Sequence, residues 1–274
     1  MLRKLVLAIA LFVVATPALA SDKTDVVAAV RKAIAYANAG DGEKFAGMMA
    51  PGGIVIDEFA PFRWEGGMPS WAASYTAYNT QNEVTAPHTT LLKFGRVMVD
   101  GDRAYVEVKV AYSYKEHDKP RKELGADVFV LTRTDAGWRV LSFAWVSKNG
   151  IDTGENADAA LKAVRDEMNG FNDGSVDMSK IAWAGVIDEF PAYSFAGVAD
   201  WGADFGKTGQ TDLRLALGDP EHLSVNGNDA YIVLAATVSG MFGGKPFKEK
   251  GHFIFVVSKV DGVWKNRSWA WTME

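Results

Sequence analysis

Val55-Ile56-Asp57-Glu58-Phe59 returns unchanged as Val186-Ile187-Asp188-Glu189-Phe190, positions 55 and 186 lying 131 apart. An identical pentamer at that distance marks one unit written twice. Each copy runs into an aromatic continuation that ends on glycine: Pro61-Phe62-Arg63-Trp64-Glu65-Gly66 in the first, Pro191-Ala192-Tyr193-Ser194-Phe195-Ala196-Gly197 in the second. An apolar pair, two adjacent carboxylates and an aromatic cluster make this the most chemically suggestive stretch of the chain.

Working outward, the repeat extends to both ends. Ahead of the first pentamer, Val27, Val30, Ile34 and Ala37 predict a helix over 24–39, with Thr24 or Asp25 as its cap and Gly40 as its stop. A short helix over 42–49 follows, broken by Pro51-Gly52-Gly53, and a strand over 54–59. Behind the pentamer, Pro69 opens a helix with Trp71, Tyr75 and Tyr78 in one stripe. Strands are expected at 93–99, 104–114, 127–132 and 138–146, with a polar loop over 117–122. The second unit repeats helices at 157–168 and 178–183, the carboxylate strand, and Trp201 in the place of Trp71. Its later strands match at an offset of 126: Ala104-Tyr105-Val106 with Ala230-Tyr231-Ile232, and Phe143-Ala144-Trp145 with Trp269-Ala270-Trp271. Helices first and long strands after predict an α+β fold of two tandem cone-shaped units, each with N-terminal helices packed on a curved, mostly antiparallel sheet. The expected division is 1–20 as signal peptide, 21–150 as first unit and 151–274 as second.

Composition excludes several classes. The 274 residues carry 48% hydrophobic side chains and a formal charge of −5, with no long basic run, which argues against nucleic acid as a partner. Four histidines and no cysteine leave little material for a metal or redox site, and no cofactor is expected. Arg3 and Lys4, the apolar run Leu5 to Val14 and Ala18-Leu19-Ala20 read as a secretory signal, too short to span a bilayer. The expected location is periplasmic or secreted, with no membrane attachment after cleavage.

The helix order, Asp57-Glu58-Phe59-Ala60-Pro61-Phe62-Arg63-Trp64, and the strands running from Gly137-Trp138 to Phe143-Ala144-Trp145 resemble the nuclear transport factor 2-like superfamily. More narrowly they resemble the secreted bacterial polyketide-cyclase-like (SnoaL-like) proteins. The second unit departs from that pattern, with its proline displaced and Phe195 in place of the tryptophan. The resemblance implies a pocket inside each cone, units that pair through sheet faces, and, by analogy with isomerase relatives, a carboxylate on this strand able to abstract a proton.

Alternation along a strand puts Asp57 with Val55 and Phe59, facing the cone, and Glu58 with Ile56 on the other side. Asp57 is therefore the candidate general base, and His88 a partner acid or base. The candidate ligand-binding residues are Glu58, Phe59, Phe62, Trp64, Trp71 and Tyr75 in the first unit and Asp188, Glu189, Phe195 and Trp201 in the second. Against these stands a purely structural reading, with Asp57 paired to Arg63 or a loop amide, Glu58 solvated and the aromatic stripe serving as core. Two functions follow. One is a secreted scaffold or binder of a small apolar or aromatic ligand; the other is a metal-independent acid–base lyase or isomerase acting through Asp57. In the first unit Tyr105, Glu107 and Lys109 read as a wet or ion-paired strand face, while Tyr231, Val233 and Ala235 read as apolar and in need of cover. The nearest cover is the first unit, so an intramolecular pseudo-dimer and a monomeric chain are expected, with Trp145 and Trp271 or their neighbours near the junction.

Overall fold

A computed structural model describes residues 18–176 and 181–274. Most of the expected signal segment lies outside these residues, as does the start of the helix expected at 178–183; its remainder, 181–183, is irregular. The first unit runs α1 (Ala18–Asn38), α2 (Gly42–Ala46), β1 (Ile54–Ile56), β2 (Arg63–Glu65), α3 (Met68–Gln81), β3 (Val84–Asp100), β4 (Arg103–Glu116), β5 (Lys119–Thr134) and β6 (Gly137–Val146). The second runs α4 (Glu155–Asp173), β7 (Val186–Ile187), β8 (Ser194–Phe195), α5 (Val198–Phe205), β9 (Gln210–Asn226), β10 (Asp229–Phe242), β11 (Lys245–Val260) and β12 (Val263–Met273). The two sheets have the same order, β2-β1-β6-β5-β4-β3 and β8-β7-β12-β11-β10-β9. Pairing is antiparallel except where β1 meets β6 and β7 meets β12. This is the expected α+β pair of units.

The helices and strands differ in detail from their sequence signals. Helix α1 is continuous through Thr24 and buries Val26, Ala29, Val30 and Ala33, a stripe rotated from the expected one. The loop expected at 117–122 shrinks to a tight turn, because His117 and Asp118 both take positive φ (48° and 61°) and let β4 and β5 pair to their ends. Gly243-Gly244 makes the same turn in the second unit, at φ 55° and 75°. Register shifts between β3 and β4, and between β9 and β10, bend each sheet around its own helices. One glycine per unit shapes the cone interior. A Cβ on Gly125 would lie 2.6 Å from the Trp145 ring and 2.3 Å from the Val146 carbonyl oxygen. Gly251 stands in the same relation to Trp271 and Thr272. Both indoles therefore lie across bare backbone.

Three apolar cores result. One fills each cone, and the third lies between the sheets, combining Ile54, Ile56, Tyr105, Val128 and Val130 with Ile187, Tyr231, Val233, Ile254 and Val256. The units thus pack sheet to sheet within one chain. Pseudo-twofold hydrogen bonds tie the seam: Tyr231 Oη donates to the Trp145 carbonyl at 2.6 Å, and Tyr105 Oη to the Trp271 carbonyl at 2.8 Å. The two tryptophans contribute backbone to the seam while their rings point into the cones. The wet or ion-paired face expected for β4 holds at Lys109, which is exposed, and fails at Tyr105 and Glu107, which are buried at the seam. Glu107 Oε1 accepts from the Tyr105 hydroxyl of its own strand (2.9 Å) and from the Met273 amide (2.6 Å). A carboxylate reads as solvated in one dimension; here it caps a backbone donor that the partner sheet brings to it.

Candidate functional site

Strand β1 ends at Ile56, one residue before the first carboxylate. The chain then turns tightly, with Phe62 N–H donating to the Phe59 carbonyl and Asp57 N–H to the Phe62 carbonyl. Strand alternation stops applying at that point. Asp57 and Glu58 both line the cavity of the first cone, correcting the expectation that they face opposite ways. Asp57 is buried; its Oδ1 accepts from the Glu58 amide and its Oδ2 from Trp71 Nε1, both at 2.7 Å. Of the two structural partners expected for Asp57, the loop amide is present as Glu58 N–H, whereas Arg63 is ion-paired with Glu65 instead. Burial pushes the Asp57 carboxyl up to about 7, against the two hydrogen bonds that favour its ionised form.

The cavity has a volume of about 520 Å³ and opens between α1, α2, α3 and the concave side of the sheet. The stripe of α3 packs against the first core, as expected, and also forms the cavity wall: Trp71 and Tyr75 stack at 4.7 Å, and Phe59 sits 5.0 Å from Tyr78. The Tyr75 and Tyr112 hydroxyls meet at 2.6 Å. Deeper in, Glu123 and Asp127 join the two loop carboxylates. Asp127 is 4% exposed and shares its strand face with Phe129 and Leu131 of the cone core. Burial, reinforced by Asp57, raises its carboxyl well above the ordinary range. Glu58 is raised for the same reason, with Glu123 and Asp57 adding repulsion.

Other candidates fall elsewhere. His88 lines the cavity on β3, but its side chain is exposed and it makes no hydrogen bond to Asp57. Phe62 lies in the core between the units, 6.2 Å from Tyr231, because its positive φ (67°) turns it away from the cone. Trp64 is buried behind Phe59, its Nε1 donating to Ser74. Phe195 packs against Phe190 in the second core. These three corrections have one cause: a strand-loop-strand turn, not a continuous strand, carries the aromatics.

The second cone repeats the frame and keeps Asp188, Glu189 and Glu249 on its lining. Asp188 accepts from the Glu189 amide (2.8 Å) and Trp201 Nε1 (3.0 Å), and burial raises it to about 6. Its cavity is smaller, about 320 Å³, and Phe205 and Phe253 stand where the first unit has Tyr75 and Asp127. Each loop glutamate also reaches across the seam. Glu189 is paired with Arg96 of β3. At the equivalent place on β9 stands His222, whose Nδ1 is 3.5 Å from Glu58 Oε2 and which burial lowers to about 4, leaving it neutral. Sequence reasoning passed over Asp127, Glu123, Arg96 and His222. A carboxylate on the apolar face of β5 was a readable signal for Asp127. The cross-seam pair had none, because its members belong to different units.

Among the described residues no group of three or more His, Cys, Asp or Glu could hold a metal ion, and no helix is long and apolar enough to cross a membrane. No protein-family model and no curated protein matches the chain. Among solved structures it is similar to a nuclear transport factor 2 (NTF2-like) superfamily protein from Salmonella enterica serovar Typhimurium, at 13% identity and TM-score 0.41 over 50% of this chain and 98% of that one. An NTF2-like protein with a cystatin-like fold from Novosphingobium aromaticivorans matches at 19% identity and TM-score 0.39, over 48% and 86%. The association domain of C. elegans CaMKII matches at 15% and 0.38, over 48% and 99%. Each of these solved structures matches about half of this chain.

Proposed function

We propose that this chain is an exported small-molecule-binding protein whose first cone receives a ligand with an apolar or aromatic body. The observation that carries this reading is the first cavity itself: aromatic walls on α3 lead to buried carboxylate and phenol groups, the usual composition of a specific small-molecule site. The second cone, smaller and with Phe253 in the place of Asp127, serves chiefly to complete the fold. Titration of the purified protein with a metabolite library, followed by the tryptophan fluorescence of Trp71 against a Trp71→Phe control, tests it. A saturable response lost in Asp57→Asn but kept in Asp188→Asn is expected; an equal or larger effect at Asp188 would overturn the ranking. Export is part of the proposal, and intact-mass analysis of secreted protein should find a chain beginning at Ser21.

One observation favours a second reading, acid–base catalysis. Asp57 at about 7 is poised to exchange a proton near neutrality. Incubating small enolisable ketones with the protein in heavy water, and following deuterium at the α-carbon by NMR, separates the readings. Exchange that depends on Asp57 establishes catalysis; its absence across ligands that bind leaves binding alone.

A further inference from the structure

The two cones differ most in how their buried negative charge is balanced. In the second, Glu189 has a guanidinium partner, Arg96, and the position of Asp127 is filled by Phe253. In the first, Asp57, Glu58, Glu123 and Asp127 line one cavity to which no Lys or Arg side chain contributes. The residue that takes the place of Arg96 is the neutral His222. Among the described residues Asp127 has no hydrogen-bonding or ionic partner, although it is 96% buried on the cavity lining (4% exposed). Glu123 and Glu58 meet carboxyl to carboxyl in the same cavity. Unpaired buried carboxylates are costly, and folded chains keep them where something else completes the pairing.

We propose that the first cone selects an organic ammonium ion, its cationic head held by Asp127 and the neighbouring carboxylates and its apolar body lying against Phe59, Trp71 and Tyr75. The inference rests on the small-molecule reading above and adds the charge of the ligand. Aromatic faces and carboxylates are the two environments that stabilise an alkylammonium away from water. The carboxylates do not converge on any point that could cage a metal ion among the described residues, so a diffuse organic cation fits better than an inorganic one. Burial and mutual repulsion push the Asp127 and Glu58 carboxyls up, and an ammonium head beside them would favour their ionised forms. In the second cone Phe253 takes the place of Asp127, and Arg96 pairs with Glu189 and Glu249.

Calorimetric titration of the full mature chain with phenethylammonium, phenethyl alcohol and phenylacetate tests this, the three probes sharing a ring and differing in charge. Phenethylammonium should bind about tenfold or more tighter than the alcohol, and phenylacetate weakest. Asp127→Asn should abolish most of that preference while leaving the alcohol within about threefold of its wild-type affinity, and Asp188→Asn should leave the preference intact. Asp127→Phe, which installs the residue of the second unit, gives the same readout should the Asn variant misfold. Equal binding of cation and alcohol overturns the inference and leaves the cavity reading standing. Failure of all three probes overturns both. A preference that survives both Asp127 variants overturns the assignment to Asp127.

Discussion

At the scale of single residues, the chain holds several carboxyl groups protonated well above their ordinary range, and this has a consequence for stability. An unfolded Asp or Glu ionises near about 4, whereas folded Asp188, Asp57 and Glu189 wait until about 6, 7 and 8. Between those values the folded state binds more protons than the unfolded one, so stability declines as pH rises from about 4 to about 8. His222 opposes this. Its folded value, lowered to about 4, makes stability rise with pH between about 4 and 6.5, so the decline should be steepest above that window. Asp57→Asn removes one of these buried ionisations. It also loses an acceptor for the Glu58 amide or for Trp71, a cost that does not depend on pH. Denaturant midpoints should therefore show the variant gaining on wild type, by of order 1–3 kcal/mol, between about pH 5 and about pH 8. An identical difference at both values would mean that Asp57 is ionised throughout.

At the scale of elements, the close approach of Gly125 and Gly251 to the Trp145 and Trp271 rings sets the inner surface of each cone. Gly251→Ala would place a methyl group 2.0 Å from the Thr272 carbonyl oxygen, which is backbone held in the ladder between β11 and β12. The strand cannot yield without breaking that pairing, so a loss of about 2–4 kcal/mol is expected. Gly243→Ala, in the exposed turn with no atom within reach of its Cβ, should cost only the strain of its positive φ (55°), about 1 kcal/mol. Thermal unfolding of the two variants compares them directly; equal losses would show that the indole does not press on the strand. Helix α3 belongs to the same scale. Its aromatic stripe has the period of a packed helix, yet it borders a cavity because α1 and the sheet stand away from it.

For the whole molecule, the seam between the sheets is the decisive contact. Val233 is fully buried there, among Tyr105, Ile254 and other side chains of both units. Val233→Lys should cost about 1–3 kcal/mol by stranding a charge at an interface able to relax in part. Solution mass should remain that of a monomer, since the covering sheet belongs to the same chain. A wild-type dimer that dissociates to a stable monomer on this change would show that the apolar face is shared between chains instead. The seam also carries information: through Glu58 with His222 and Glu189 with Arg96, each site loop is completed by a strand of the other unit.

The duplicated pentamer, the aromatic helix and the matched strands were enough to determine two α+β units, because period and repetition are local properties of a chain. Asp57 was legible as a buried carboxylate from its apolar neighbours two residues away on either side. The rest was decided in three dimensions. Glu58 enters the cavity because β1 stops one residue earlier than its apolar run suggests, so the chain turns instead of alternating. Phe62 leaves it for the seam because the same turn reverses its direction. Glu107 reads as solvated but is buried, since burial depends on a sheet contributed by residues more than a hundred positions away. The identity of the group that faces each loop glutamate, a guanidinium in one cone and a neutral imidazole in the other, is set by a pseudo-twofold seam. No local pattern encodes it, because the two partners meet only when the units dock.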